Sequence, residues 1–157
     1  FRRVLFRSIA AAIGLGEDFA SGDNILVILG DNIFDDDLSN FSSHGSNASI
    51  AYYEVPDPER FGVLTIDDSG KPTGVIEKPK VAQSNKAVVG IYSYPSDVFE
   101  KIKTLKPSAR GEYEVTDLNN LYFKDGRMDC FKLNGFWVDA GSHETYQKAF
   151  KWASERG

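Results

Sequence analysis

Three short apolar stretches run straight into charged residues: "LVILG" into Asp31, "TGVI" into Glu77 and Lys78, and "FWV" into Asp139. Residues 26 to 29 are apolar and rich in branched side chains, which reads as a strand buried on both faces. An ionised carboxylate beside such a core is costly unless a cation meets it. In open α/β sheets, ligands bind beyond the carboxyl ends of strands. Any one of these residues alone reads as a turn or a cap; three together point to a shared cleft. Two strand-end carboxylates without a His or Cys cluster suit a hard, oxygen-ligated ion such as magnesium. By itself such a pair is a weak metal signature.

The elements that would position them follow from periodicity. Residues 9 to 19 have helical apolar spacing, and a strand covers residues 24–30. Asp35, Asp36 and Asp37 read as the acidic first turn of a short helix rather than as a D-x-D metal motif. Further strands cover 48–55, 61–66, 72–78 and 87–94, with "DDSGK" as a hairpin turn between the second and third of these. Residues 96–105 form a helix capped by Ser96 or Asp97. Residues 114–126 form another, with Val115, Leu118, Leu121 and Tyr122 on one face and a stop at Gly126. "MDCFKL" and "FWVDAG" are short strands. The closing helix starts at Ser142 with Thr145 three residues on, which falls short of a full capping box. Trp152 and Phe150 read as packing residues, Cys130 as a small buried hydrophobe, His44 as solvated, and His143 as a cap near Asp139.

The chain has 157 residues, one domain's worth, with 41% hydrophobic and 26% charged residues and a formal net charge of −5. That balance argues against a broad nucleic-acid or anionic-membrane surface, yet local cations and a metal ion still allow phosphate ligands. Cys130 is the only cysteine, so no internal disulfide forms and a reducing, cytoplasmic setting is expected. No apolar run approaches the roughly 18 residues of a membrane span. "FRRVLFRS" (1–8) lacks the features of a signal peptide and reads as a non-native remnant, leaving 9–157 as the domain.

"LGDNIF", "PERFGV", "EKPKVAQSNKAVVGIY", "LKPSARGEYEVTDLNN" and "WVDAGSHET" occur in the order and spacing of bacterial sugar-nucleotide pyrophosphorylases. Over residues 9 to 152 the sequence resembles that nucleotidyltransferase family, and within it the glucose-1-phosphate thymidylyltransferases. The resemblance implies a Rossmann-like α/β fold with a mixed, mostly parallel sheet flanked by helices. It implies nucleotidyl transfer from a nucleoside triphosphate, dTTP, to glucose 1-phosphate, giving dTDP-glucose and pyrophosphate. Carried over motif by motif, Asp31 and Asp139 would hold Mg2+, and Lys78 and Arg110 the sugar phosphate. Gly62, Glu77, Val88 and Tyr92 would line the sugar pocket, with Trp137 as its wall. A homotetramer is implied for the complete enzyme. The family's first strand, its glycine-rich nucleotide loop (G-G-x-G-T-R-L) and its base-reading stretch have no match here. The chain is therefore expected to be the last two-thirds of an enzyme and inactive alone. Two other readings compete: a non-catalytic sugar-phosphate-binding or assembly module, and a nucleotide-sugar glycosyltransferase built on Asp35–Asp37. The second leaves Glu77, Lys78 and Arg110 without a task.

Overall fold

The computed structural model describes residues 8–39, 41, 45–109 and 111–156. The helical stretch at the start breaks into α1 (Ile9–Gly14) and α2 (Glu17–Ala20), because Gly14 and Gly16 weaken it midway. β1 (Ile25–Ile28) and β2 (Asn32–Phe34) follow, then β3 (Ala48–Glu54) and a 3-10 turn at Pro58–Arg60. β4 (Gly62–Ile66) and β5 (Pro72–Glu77) form the expected hairpin, and β6 (Lys86–Tyr94) is the longest strand. α3 (Val98–Thr104), α4 (Val115–Lys124), β7 (Met128–Lys132), β8 (Trp137–Asp139) and α5 (His143–Ser154) complete the order.

The result is a mixed sheet flanked by helices, built on β6. The strand order is β5-β4-β6-β3-β7, with β1 also on β6, and β2 and β8 form a separate two-stranded ribbon. The parallel share is smaller than expected. β3 and β7 are parallel, whereas β1, β3 and β4 all meet β6 antiparallel and β5 meets β4 in the same sense. For β4 and β5 the cause is the short turn that joins them, which only antiparallel neighbours allow.

Side-chain alternation divides the core between the two faces of the sheet. One face packs Ile50, Leu64, Tyr92 and Tyr94 against Val98, Leu118 and Tyr122 of the helices. The other sets Ala51, Val89 and Ile91 against Phe41 and Leu133, with Phe34 and Trp137 at the margin.

Several local expectations are corrected. β1 is not buried on both faces: Ile25, Val27 and Leu29 pack on the core, but Leu26 is 53% and Ile28 44% exposed. On α4, Thr116 and Asn119 are buried beside Leu118 and Tyr122, while Leu121 is half-buried, so the inward face carries more polar groups than the apolar pattern indicated. Asp97 does occupy the N-cap of α3, but no side-chain cap bond forms. Its carboxylate is taken by the Tyr122 hydroxyl and the Arg127 guanidinium. Ser142 and Thr145 do make a reciprocal capping box, because the threonine hydroxyl substitutes for the usual Glu or Gln. Trp152 packs flat on Phe136, but Phe150 is 66% exposed and holds no core position. Cys130 is only partly exposed, and burial pushes its thiol up to about 12.

Candidate active site

The ribbon of β2 and β8 unites the two ends of the chain. Its antiparallel register pairs Asn32 with Asp139, Ile33 with Val138 and Phe34 with Trp137, and the Ala140 N–H donates to the Asp31 carbonyl at 2.7 Å. The Asp31 and Asp139 carboxylates thereby both come close to Gly141. A methyl on that glycine would lie 2.9 Å from Asp139 Oδ1 and 3.8 Å from Asp31 Oδ2. No third His, Cys, Asp or Glu joins them among the described residues. Two carboxylates on an open cleft fit Mg2+, which keeps several waters and takes other ligands from substrate phosphates.

Asp35 to Asp37 do not start a helix; the stretch is irregular. Asp36 instead accepts the N–H groups of Asn134 and Gly135, both at 2.9 Å, and Asp35 accepts that of Phe136 at 2.6 Å. Acidic side chains favour helix N-termini because free N–H groups cluster there. Here the loop between β7 and β8 presents the same N–H cluster from far along the chain. This arrangement argues against the D-x-D reading: Asp35 Oδ1 is taken by the Phe136 N–H, and both Asp37 oxygens accept from Ser39, at 2.8 and 2.9 Å.

On the opposite wall, Gly62 of β4 lies between Glu77 of β5 and Val88 of β6 in the ladder. Glu77 is held from below by α4: the Thr116 hydroxyl donates to its Oε2 at 2.7 Å. The Lys78 ammonium lies 3.9 Å from the other carboxylate oxygen. Lys78 has a left-handed backbone, φ +43°, immediately before Pro79. That conformation is unfavourable for a residue with a Cβ and before a proline, and the bond from its N–H to the Phe61 carbonyl at 2.9 Å anchors it. Tyr92 stacks beside Tyr94 with ring centres 6.0 Å apart. Burial, reinforced by the Glu77 and Asp31 charges, holds the Tyr92 phenol far above its ordinary value, so it stays neutral. Trp137 packs against Tyr53 and Phe61.

Asp31, Gly62, Glu77, Lys78, Val88, Tyr92, Trp137 and Asp139 all line one cavity of about 350 Å³. A second cavity of about 620 Å³ shares Asp31, Arg60, Phe61, Trp137 and Asp139 with the first, so the carboxylate pair stands where the two meet. Arg110 and His44 lie outside the described residues. His143 is exposed and bonds Gln147 one helical turn on. Sequence reasoning missed Asn32, Thr116 and Phe61 at this site. Their only signal was their place inside the motifs "LGDNIF", "LKPSARGEYEVTDLNN" and "PERFGV".

A carboxylate pair at the ends of the β2–β8 ribbon, facing a pocket that includes Glu77, Lys78 and aromatic walls, suits phosphate and sugar ligands, and comparison names the class. Residues 5–156 match the nucleotidyl transferase family, and the chain belongs to that family. It is 39% identical over 148 residues to a glucose-1-phosphate thymidylyltransferase of Neisseria meningitidis, covering 90% of this chain and 51% of that protein. It is 38% identical over 146 residues to the low-salt glycan biosynthesis nucleotidyltransferase Agl11 of Haloferax volcanii, covering 90% of this chain and 41% of that one. A solved structure from Bacillus anthracis, described as a glucose-1-phosphate thymidylyltransferase in complex with sucrose, superposes with a TM-score of 0.84 at 48% identity, over 92% of this chain and 60% of that one. The fold also matches a UDP-glucose pyrophosphorylase at TM-score 0.85 and 24% identity, over 97% of this chain and 64% of that one. The chain thus spans about half the length of the curated relatives it matches.

Proposed function

We propose that this chain supplies the sugar-phosphate side of an enzyme that transfers a nucleotidyl group from dTTP to glucose 1-phosphate, releasing pyrophosphate and forming dTDP-glucose. The observation that carries this reading is the meeting of Asp31, Glu77, Lys78 and Asp139 on one cavity from strands far apart in the chain. The thymidylyltransferase relatives support the choice of dTTP and glucose. Glu77, braced by Thr116, accepts hydrogen bonds from sugar hydroxyls, and Gly62 lets backbone come close to the ring. Val88 and Trp137 form the apolar walls, and neutral Tyr92 closes the floor. Lys78 and Arg110 neutralise the sugar phosphate. Asp31 and Asp139 would hold Mg2+, which when bound offsets the charge of crowded phosphate oxygens. Such transfer needs positioning and neutralisation more than a nucleophilic side chain. The complete protein works in this reading as a cytoplasmic homotetramer. No helix among the described residues is long and apolar enough to cross a membrane.

The test uses the full-length protein. Surface pairing of Lys78 with Glu77 would be worth only about 0–1 kcal/mol and no substrate effect. If Lys78 holds the sugar phosphate, Lys78→Met raises the KM for glucose 1-phosphate at least tenfold and lowers turnover. Calorimetric titration then finds dTTP affinity nearly unchanged. Equal weakening toward both substrates, or toward neither, overturns the assignment.

A further inference from the structure

One edge of β6 is shared by two strands. β4 pairs with Ala87 and Val88, β1 pairs with Ile91 to Tyr94, and β3 occupies the opposite edge. Val89 and Gly90 fall in the gap between β4 and β1. Leu29, just past the end of β1, reaches the Gly90 carbonyl with its N–H at 2.8 Å. The Gly90 N–H is taken by a side chain: it donates to Asn32 Oδ1 at 2.9 Å. The same oxygen accepts the Trp137 indole N–H at 2.9 Å, and Asn32 Nδ2 donates to Asp31 Oδ1 at 2.9 Å.

The amide orientation is forced. Its carbonyl faces two N–H donors and its NH2 faces a carboxylate, so the flipped rotamer would oppose like with like on both sides. Asn32 is 9% exposed. The fit leaves no room on the β6 side, since a methyl on Gly90 would lie 2.6 Å from Asn32 Nδ2 and 2.8 Å from Leu29 Cβ.

From this arrangement we infer that Asn32 is the positioning residue of the site: one amide sets the Asp31 carboxylate and the Trp137 indole together. The metal side of the cleft and the wall of the sugar pocket are thus held by a single group, anchored to the sheet where its edge is split. The inference rests on the reading of Asp31 as a metal ligand. A residue that merely fills the gap would affect stability and leave ligand binding alone.

Mn2+ affinity, by calorimetry or electron paramagnetic resonance, and KM for glucose 1-phosphate are measured on the full-length protein. Asn32→Leu keeps the approximate shape and removes all three bonds. It is expected to weaken Mn2+ binding about 10–100-fold, the usual effect of losing a partner of a metal ligand, and to raise the KM for glucose 1-phosphate. Trp137→Phe, which lacks the indole N–H, raises that KM and leaves Mn2+ affinity unchanged. Should Asn32→Leu not fold, Asn32→Ser shortens the side chain and breaks the same three bonds. It is expected to weaken Mn2+ binding to a similar degree. A wild-type Mn2+ affinity in whichever of these variants folds overturns the inference. Asp31→Asn separates the two levels. If it leaves Mn2+ affinity intact, the metal reading itself falls; if it abolishes binding while the Asn32 variants retain it, only the positioning role falls.

Discussion

Lys78 shows how much a single residue is made to bear. Its φ of +43° before Pro79 costs about 1–2 kcal/mol for a residue with a Cβ. The strain turns the chain where β5 ends and sets the ammonium beside the cleft. Glycine carries no such penalty, although it adds about 0.5–1 kcal/mol of unfolded-state entropy. Lys78→Gly is therefore expected to be about 0.5–1 kcal/mol more stable than Lys78→Ala, both lacking the ammonium and both impaired toward glucose 1-phosphate. Urea unfolding of the two full-length variants measures the difference, and a Lys78→Gly variant about 0.5–1 kcal/mol less stable than Lys78→Ala would mean that the turn is unstrained. The sequence marked Lys78 as chemically interesting through its place after "TGVIE". It carried no sign of the backbone conformation, since non-glycine residues adopt that region only under tertiary constraint.

Among the elements, the connection from β7 to β8 sets the positions of Trp137 and Asp139. Three consecutive backbone N–H groups, of residues 134 to 136, are gathered by Asp35 and Asp36. Gly135 permits this: a Cβ there would fall 2.1 Å from Asp35 Oδ1. Asp35 is further tied to Arg156 at 3.6 Å, linking the end of α5 to the same loop. Asp36→Ala should cost about 1–2 kcal/mol, from two partly solvated bonds to a charged acceptor. It should also speed hydrogen exchange at residues 134 and 135 selectively. Exchange at those amides unchanged from wild type would mean that the loop holds its shape without the aspartate. Most elements here were readable from periodicity and turn residues, including the hairpin of β4 and β5 and the stop of α4 at Gly126, which has φ +68°. The aspartate triplet was misread because an acidic cluster looks the same whether its N–H partners are the next three residues or lie a hundred positions on.

For the molecule as a whole, the bare side of β1 is the feature with the widest consequence. Leu26 and Ile28 are open to solvent, and among the described residues β1 is paired along one edge only, to β6. Phe19, 95% exposed, adds apolar surface from α2. Exposed strand edges with apolar faces invite association. The 157-residue chain alone is expected to aggregate or melt in a low, broad transition, and to release no pyrophosphate from dTTP and glucose 1-phosphate with Mg2+. A sharp melt from a monodisperse sample, or steady pyrophosphate release, would contradict the respective half of that expectation. Alternation along the chain determined the α/β class, the helices and strands, and the charged residues that end three strands, because these depend on neighbours a few positions apart. Tertiary structure alone decided the antiparallel sense of most pairings and the open face of β1. It also decided the meeting of Asp31 with Asp139, and the single amide of Asn32 that ties Trp137 to the sheet. The last two hang on a ribbon of three-residue strands whose partners are about a hundred residues apart, and pairing at that distance leaves no local periodicity to read.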